Sequence, residues 1–263
     1  MKLNIVPART GVLWVRTGLQ TFAKRPLAFV SLFFFFMALV SIASQLPLVG
    51  TAIALMLLPT MTLGLMAATA EAARAGAGTK PPAAAVFLAA LQAVRTGFRP
   101  MLVLGVLYAV LFMLVMGISA LADGGQFAKV YLMGGTVSRE MAEAGDFQAA
   151  LWIAMLLYLP LSLAFWHAPA LVHWHGVPPA KSLFFSFVAC FKNFGALFVF
   201  GLAWVGVFIG SGIVLSLIAT LFAAVAGEGA GAAAGALMLG GAMVMAAMFF
   251  TSTWFTFRDS FID

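Results

Sequence analysis

The chain has 263 residues, of which 64% are hydrophobic and only 8% are charged, with a formal net charge of +6. This number of charges is too small to cover the water-facing surface of a protein of this size. The composition therefore excludes a soluble globular protein and indicates an integral membrane protein. The basic residues flank apolar stretches and form no separate basic domain, which disfavours nucleic-acid binding.

Stretches without Asp, Glu, Lys or Arg predict six membrane-spanning helices. A crossing needs about 20 apolar residues. The first charge-free stretch, residues 26–70, is long enough for two crossings, and the polar turn and proline at 44–47 divide it. We therefore predict an all-α, polytopic membrane helix bundle, with residues 1–263 as one integral membrane domain. Its transmembrane helices are expected at about 27–44, 48–69, 101–121, 149–168, 194–224 and 232–257.

The distribution of positive charge predicts the orientation. Six spans place both termini on one side, and of the 14 Lys and Arg residues only Lys129 and Arg139 fall on the other side, which leaves twelve with the termini. Because cytoplasmic loops retain Lys and Arg, both termini are expected in the cytoplasm.

The main external loop is expected at residues 122–147. It begins with Asp123 and two glycines and continues into an acidic stretch. This pattern predicts a short external helix with a side-chain cap, held against the bundle by Phe127, Tyr131 and Phe147.

Three cytoplasmic segments, beginning at Pro7, Pro81 and Pro178, share one design: an amphipathic stretch, a basic end and then a span. We predict three repeats of an amphipathic surface helix plus a transmembrane hairpin, at about 7–77, 78–177 with the external loop inserted, and 178–263. Each surface helix is expected to bury its apolar face in the headgroup layer. Docking of a partner protein is the alternative. The apolar face of the third segment comprises Leu183, Phe184, Phe187, Val188 and Phe191.

Basic residues on these segments are the expected ligands of anionic lipid headgroups. They are Arg9, Arg16, Lys24, Arg25, Arg95, Arg99, Lys181 and Lys192.

All three histidines, His167, His173 and His175, lie within nine residues at the cytoplasmic end of the fourth span. On one continuous helix they would not converge on a metal, and no Cys, Asp or Glu accompanies them, so no metal site is expected. An interfacial belt of tryptophan and histidine is the preferred interpretation. The alternative is contact with a haem, pigment or quinone, with His167 as the first ligand to test.

Two pairs of glycines have the spacing that lets membrane helices approach closely. Gly206 and Gly210 lie in the fifth span, and Gly231 and Gly235 begin the sixth. Packing between neighbouring spans of the same chain is favoured over dimerisation.

Several sequence motifs resemble a family of six-span inner-membrane proteins of beta-proteobacteria for which no activity is established. They are the opening residues 1–9, the stretch 123–127, the histidine-rich stretch 167–179, and residues 255–259. The resemblance implies a location in the bacterial inner membrane, and it carries over no functional residue.

The sequence therefore favours a non-enzymatic protein, with no catalytic residue, that acts as an accessory or scaffold subunit of a larger membrane complex, respiratory or photosynthetic. Its expected partners are membrane lipids and other integral membrane subunits. A transporter or channel for a small apolar or weakly polar solute, using kinks at Pro59 and Pro160, is the alternative. A cofactor protein using His167 is a third, weaker possibility.

Overall fold

The computed structural model describes residues 1–46, 49–76, 79–226 and 230–262. Within these residues the chain is almost entirely helical. The elements in chain order are β1 (Lys2–Leu3), α1 (Thr10–Lys24), α2 (Pro26–Ser44), α3 (Gly50–Arg74), α4 (Ala83–Thr96), α5 (Phe98–Asp123), α6 (Gln126–Met133), α7 (Arg139–Glu143), α8 (Gly145–Trp166), α9 (Ala168–His175), α10 (Pro179–Lys192), α11 (Phe194–Ala226), α12 (Ala230–Ser260) and β2 (Phe261–Ile262).

The predicted all-α fold with six apolar spans is confirmed. In the described part of the chain, α2, α3, α5, the continuous run of α8 and α9, α11 and α12 are long and apolar enough to cross a membrane. The fourth span differs from its prediction, because α8 ends at Trp166 and the chain turns at His167 before α9 begins. Pro47 of the first predicted turn lies outside the described residues, and so do Gly227 to Gly229, which separate the last two spans.

Each predicted surface segment forms a helix that is followed by a span after a single intervening residue. These junctions are Arg25, Gly97 and Asn193. The chain nevertheless divides by its contacts into two compact units that do not follow the predicted repeats. Unit 1 comprises residues 1–38, 62–96 and 192–263, and unit 2 comprises residues 39–61 and 97–191. The threefold repeat stays a prediction.

In unit 1, α1 packs against α11 and α12. Its buried side includes Trp14, Val15 and Phe22, none of which is more than 5% exposed. Gly11 lies directly against the backbone of α11, and Gly18 lies directly against Ser252 of α12, so a Cβ atom at either glycine would overlap the neighbouring helix. The helix expected to lie in the lipid headgroups is thus packed on protein through most of its apolar face.

The two ends of the described chain pair with each other in unit 1. β1 and β2 are antiparallel, with Lys2 opposite Ile262 and Leu3 opposite Phe261. The backbone N–H of Asn4 donates to the Ser260 carbonyl at 2.9 Å. Asn4 also donates from its side chain to the Asp259 carbonyl and accepts from the Asn193 side chain at its own carbonyl. We call β1, β2, Asn4, Asn193 and Asp259 the terminal clasp. It places the two ends on the same side of the spans, as an even number of crossings requires.

In unit 2, α5 packs along α8, and α6 covers part of both helices. A Cβ atom at Gly105 of α5 would overlap the Met56 carbonyl of α3, so the glycine permits a close helix crossing. The Asp123 carboxylate accepts hydrogen bonds from the N–H groups of Gly125 and Phe127, at 2.8 and 2.6 Å, at the start of α6. Phe127 also contacts Phe147, with ring centroids 5.8 Å apart. The structure thus contains the predicted short helix with an Asp123 cap, and its external location stays a prediction.

Candidate functional site

The histidine segment lies where α8 ends and α9 begins. His167 separates the two helices and is 1% exposed. Its backbone N–H donates to the Ser186 hydroxyl at 2.9 Å, and that hydroxyl donates to the Leu163 carbonyl at 2.7 Å. Ser186 therefore joins the broken end of the fourth span to α10 and satisfies backbone groups that the helix break leaves without their regular partners.

The other two histidines occupy a less buried environment. His173 and His175 are partly exposed on α9, and the His173 ring meets the Trp174 ring edge-on, with centroids 4.8 Å apart. In the described residues, no group of three His, Cys, Asp or Glu side chains is placed to hold a metal ion. The break at His167 thus does not bring the histidines together as a metal site, and their binding of haem, pigment or quinone stays a prediction.

Helix α10 presents its small polar residues to the protein. Ser182, Ser186, Ala189 and Cys190 are buried. The phenylalanines lie on the outside, and Phe184 and Phe191 are 65% and 66% exposed. Phe184 and Phe191 of the predicted apolar face are therefore exposed, while Leu183, Phe187 and Val188 are half-buried. An exposed apolar face is the arrangement expected where lipid takes the apolar side.

Cys190 is the only cysteine of the chain and lies inside this contact. Its Sγ atom donates to the Leu163 carbonyl at 3.6 Å. Burial raises the pKa of the Cys190 thiol to about 12, although a hydrogen bond with Ser186 acts in the opposite direction. The thiol is therefore a packing group with little thiolate character.

Two of the predicted headgroup ligands bind the protein's own backbone. Lys24 donates to the carbonyls of Ala72 and Ala75, at 3.0 and 2.6 Å, at the end of α3. Arg25 donates to the Pro81 carbonyl at 2.6 Å. A cation at a helix C-terminus satisfies free carbonyls and complements the helix dipole. The other predicted headgroup ligands are exposed: Arg9, Arg16, Arg95, Arg99, Lys181 and Lys192.

The predicted packing glycines do not meet another part of the described chain. A Cβ atom at Gly206, Gly210, Gly231 or Gly235 would have open space around it. Close approaches to the backbone or Cβ of another helix occur instead at Gly11, Gly18 and Gly105, and Gly241 of α12 lies against the Leu215 side chain of α11. The sequence did not predict packing at any of these glycines. The seven-residue spacing of Gly11 and Gly18 places them on one face of α1, and this spacing was the available signal.

The final hairpin of unit 1 is covered by its own chain mainly at one end. In the most apolar stretch of α11 none of the residues is buried, whereas 44% of the residues in the corresponding stretch of α5 are buried. At the other end, Trp204 donates to the Ser252 hydroxyl at 3.0 Å and is 1% exposed. The open part of α11 carries Gly206 and Gly210 among large apolar side chains such as Ile209.

Asn193, which no sequence pattern marked as functional, joins three parts of unit 1. Its side-chain oxygen accepts from the N–H of Val6 at 2.9 Å, and its amide donates to the Asn4 carbonyl at 3.0 Å and to the Ser260 hydroxyl at 3.3 Å. Asn193 is 2% exposed, so these three bonds satisfy a buried amide. In the same unit, Trp14 donates to the Asp259 carboxylate at 2.9 Å.

Six apolar helices with exposed hydrophobic surfaces, and basic residues near their ends, define an integral membrane protein in contact with lipid. The chain is 37% identical over 263 residues to a probable inner membrane protein of Burkholderia thailandensis, and the match covers 99% of this chain and 94% of the relative. The chain belongs to the same family of bacterial inner-membrane proteins, as the resemblance implied. No protein-family model matches the chain, and no solved structure matches it.

Proposed function

We propose that this inner-membrane protein is a non-enzymatic accessory or scaffold subunit of a larger membrane complex of the respiratory or photosynthetic kind. The observation that supports this role best is the open glycine pair on α11. Among the described residues, no atom lies within 4 Å of a Cβ position at Gly206 or Gly210, and no residue of the most apolar stretch of α11 is buried.

Glycine at an exposed helix position is costly unless another helix uses the space. It lowers helix stability by about 1 kcal/mol relative to alanine and offers little apolar surface to lipid. In a membrane, two helices associate through close van der Waals contact, and small residues permit that contact. The open pair therefore suits a transmembrane helix of another subunit.

The charges of the spans favour a role without ion transport. In the described residues, the Asp, Glu, Lys and Arg residues of the spanning helices lie near helix ends, as Glu71 and Arg74 do in a pair at 3.1 Å. Ion-coupled transporters keep ionisable groups within the membrane. The helices α3 and α8 also continue through Pro59 and Pro160, so neither proline divides its span into half-helices, and the break in the fourth span lies at His167 instead.

Both termini are proposed to lie in the cytoplasm. The support is the excess of Lys and Arg on the side of the termini, together with the pairing of β1 with β2. A fluorescent reporter that folds only in the cytoplasm, fused after Asp263, should be bright. Periplasmic activity of a phosphatase reporter fused at the same place would refute the orientation.

The accessory role is tested by purification from its native membrane in a mild detergent. We expect integral membrane subunits to co-purify in a fixed ratio, and Gly206→Leu combined with Gly210→Leu to abolish this association while the protein itself stays monodisperse. Gly117→Leu is the matched control, because Gly117 lies on α5 with open space around it and outside the proposed contact. Equal loss in the control would contradict the assignment to α11.

Two other outcomes would replace the proposal. A monodisperse lone protein that moves a small solute across liposomes would establish the transporter alternative. A visible absorption spectrum that disappears in His167→Ala would establish a cofactor protein.

A further inference from the structure

All three tyrosines of the chain meet in unit 2 around one phenylalanine. Tyr108 of α5, Tyr131 of α6 and Tyr158 of α8 have ring centroids 6.0, 5.9 and 6.1 Å from that of Phe112. We call these four residues the tyrosine cluster. Phe165 extends it, with its centroid 5.0 Å from that of Tyr108.

Two of the tyrosines lie deep in their spans. Tyr108 is ten residues from the start of α5 and fifteen from its end, and Tyr158 is thirteen residues from the start of α8 and eight from its end. At 1.5 Å per residue, each lies about 12 Å or more from either end of its helix. Tyrosine is usually found at the membrane surface, where its hydroxyl reaches water or headgroups. Tyr131 lies on the short helix α6, which is not one of the spans.

The hydroxyl groups of the deep pair are not saturated by the protein. The oxygens of Tyr108 and Tyr158 are 3.5 Å apart, at the outer limit of a hydrogen bond. The two hydroxyls carry two hydrogens, and their mutual contact uses at most one. Neither hydroxyl has another hydrogen-bond partner among the described residues. An unpaired donor in hydrocarbon costs several kcal/mol, so an acceptor from outside the chain is favoured.

The place of the pair restricts which acceptor can reach it. Tyr158 is 41% exposed, and its neighbours on the open side of α8 include Met155 and Leu159, which are 53% and 56% exposed. Access is therefore from the hydrocarbon layer, below the depth of lipid ester carbonyls. A compound that dissolves in this layer and carries a carbonyl on a planar ring can accept the hydrogen bond and contact the aromatic side chains.

We propose that Tyr108 and Tyr158 form a binding site for a quinone-type ring dissolved in the membrane, with a tyrosine hydroxyl donating to one of its carbonyl oxygens. The site is separate from the His167 segment and does not rest on the accessory role. Binding alone is proposed, without electron or proton transfer.

The test uses the purified full chain in lipid nanodiscs and a decyl-substituted benzoquinone with ¹³C-labelled carbonyls as the probe. Bound probe should show a carbonyl stretching band displaced to lower frequency. In Tyr158→Phe and in Tyr108→Phe the displaced band should weaken, and the affinity should fall about threefold to tenfold, the range for one lost hydrogen bond. Decylbenzene, which lacks the carbonyls, should bind all variants alike.

Tyr131→Phe is the matched control, because Tyr131 belongs to the same cluster but lies on the short helix α6. It should leave both the band and the affinity unchanged. The proposal is overturned if wild-type protein shows no displaced band, if Tyr158→Phe binds as tightly as wild type, or if Tyr131→Phe loses as much affinity. It is also overturned if the hydroxyls instead serve a second copy of the chain, so that a cross-linked dimer forms and is lost in Tyr158→Phe. Melting temperatures within about 2 °C of wild type verify that the variants fold.

Discussion

Helices α1 and α10 have similar lengths and each precedes a span by one residue, yet they turn opposite kinds of surface toward the protein. Helix α1 buries Trp14 against Phe200 of α11 and Phe22 against Phe29 of α2. Helix α10 buries Ser182 and Ser186 and leaves its phenylalanines outside. An amphipathic helix at a membrane surface therefore has a polar face and an apolar face, but its sequence does not show which of them packs against protein. Lipid can also cover the apolar face.

The largest expected difference between the two helices comes from the same substitution in each. Phe22→Ala opens a cavity in the contact between α1 and the rest of unit 1 and should cost about 3–5 kcal/mol, whereas Phe184→Ala should cost less than about 1 kcal/mol. Thermal unfolding of the purified protein in detergent measures both. Comparable losses would mean that α10 also packs its phenylalanines on protein.

A second test concerns the close approach of α1 to α12. Gly18→Leu would push a side chain into Ser252 and should cost about 2–3 kcal/mol, which corresponds to a fall in apparent melting temperature of about 4–12 °C. Gly206→Leu, with open space around it, should change the melting temperature of the isolated protein by less than about 2 °C. If the two variants melt alike, α1 is not held by this contact.

Helix α10 should depend on its polar contacts where α1 depends on apolar ones. Ser186→Ala removes the acceptor of the His167 N–H and the donor to Leu163, and should cost about 1–2 kcal/mol. Ser162→Ala is the control, since the Ser162 hydroxyl bonds only within its own helix, to Leu159. If Ser162→Ala is destabilised as much as Ser186→Ala, Ser186 has no special role in holding α10.

The smallest effect is on reactivity at the inner face of α10. Because burial raises the pKa of the Cys190 thiol to about 12, its thiolate is scarce at pH 8, and modification by N-ethylmaleimide should be slow and should accelerate as the pH rises. Arg16→Cys in a Cys190→Ala background, on the exposed side of α1, should react at least about tenfold faster at pH 8. Rapid labelling of Cys190 in the folded protein would contradict its burial.

The number and type of the spans could be predicted because charge-free apolar length is a strong and local signal. The short helix α6 was predictable for a different local reason, since Asp123 and its glycines are typical cap residues. Pro169, in the first turn of α9, was a local signal for a break near this place. Its position at His167 was not predicted, because Trp166 and Ala168 continue the apolar run and the bond to Ser186 comes from a distant segment.

The contacts of the predicted site were harder to infer. Lys24 and Arg25 have the charge expected of headgroup ligands. The sequence does not show that the fold brings backbone carbonyls within hydrogen-bonding distance of them. The terminal clasp has two-residue strands, which carry no detectable period. The tyrosine pair joins residues 50 positions apart that no spacing rule connects.

The terminal clasp also has a consequence for biosynthesis. Helix α1 leaves the ribosome before α12, and its docking surface on α12 and its bond to Asp259 exist only after some 235 further residues have been made. At about 5–20 residues per second this delay lasts roughly 12–47 seconds. During that interval Trp14 lacks its partners Phe200 and Asp259, and the bilayer surface is the nearest apolar environment. The amphipathic sequence of α1 would then reflect contact with lipid during synthesis, and the contact with protein would replace it in the folded chain.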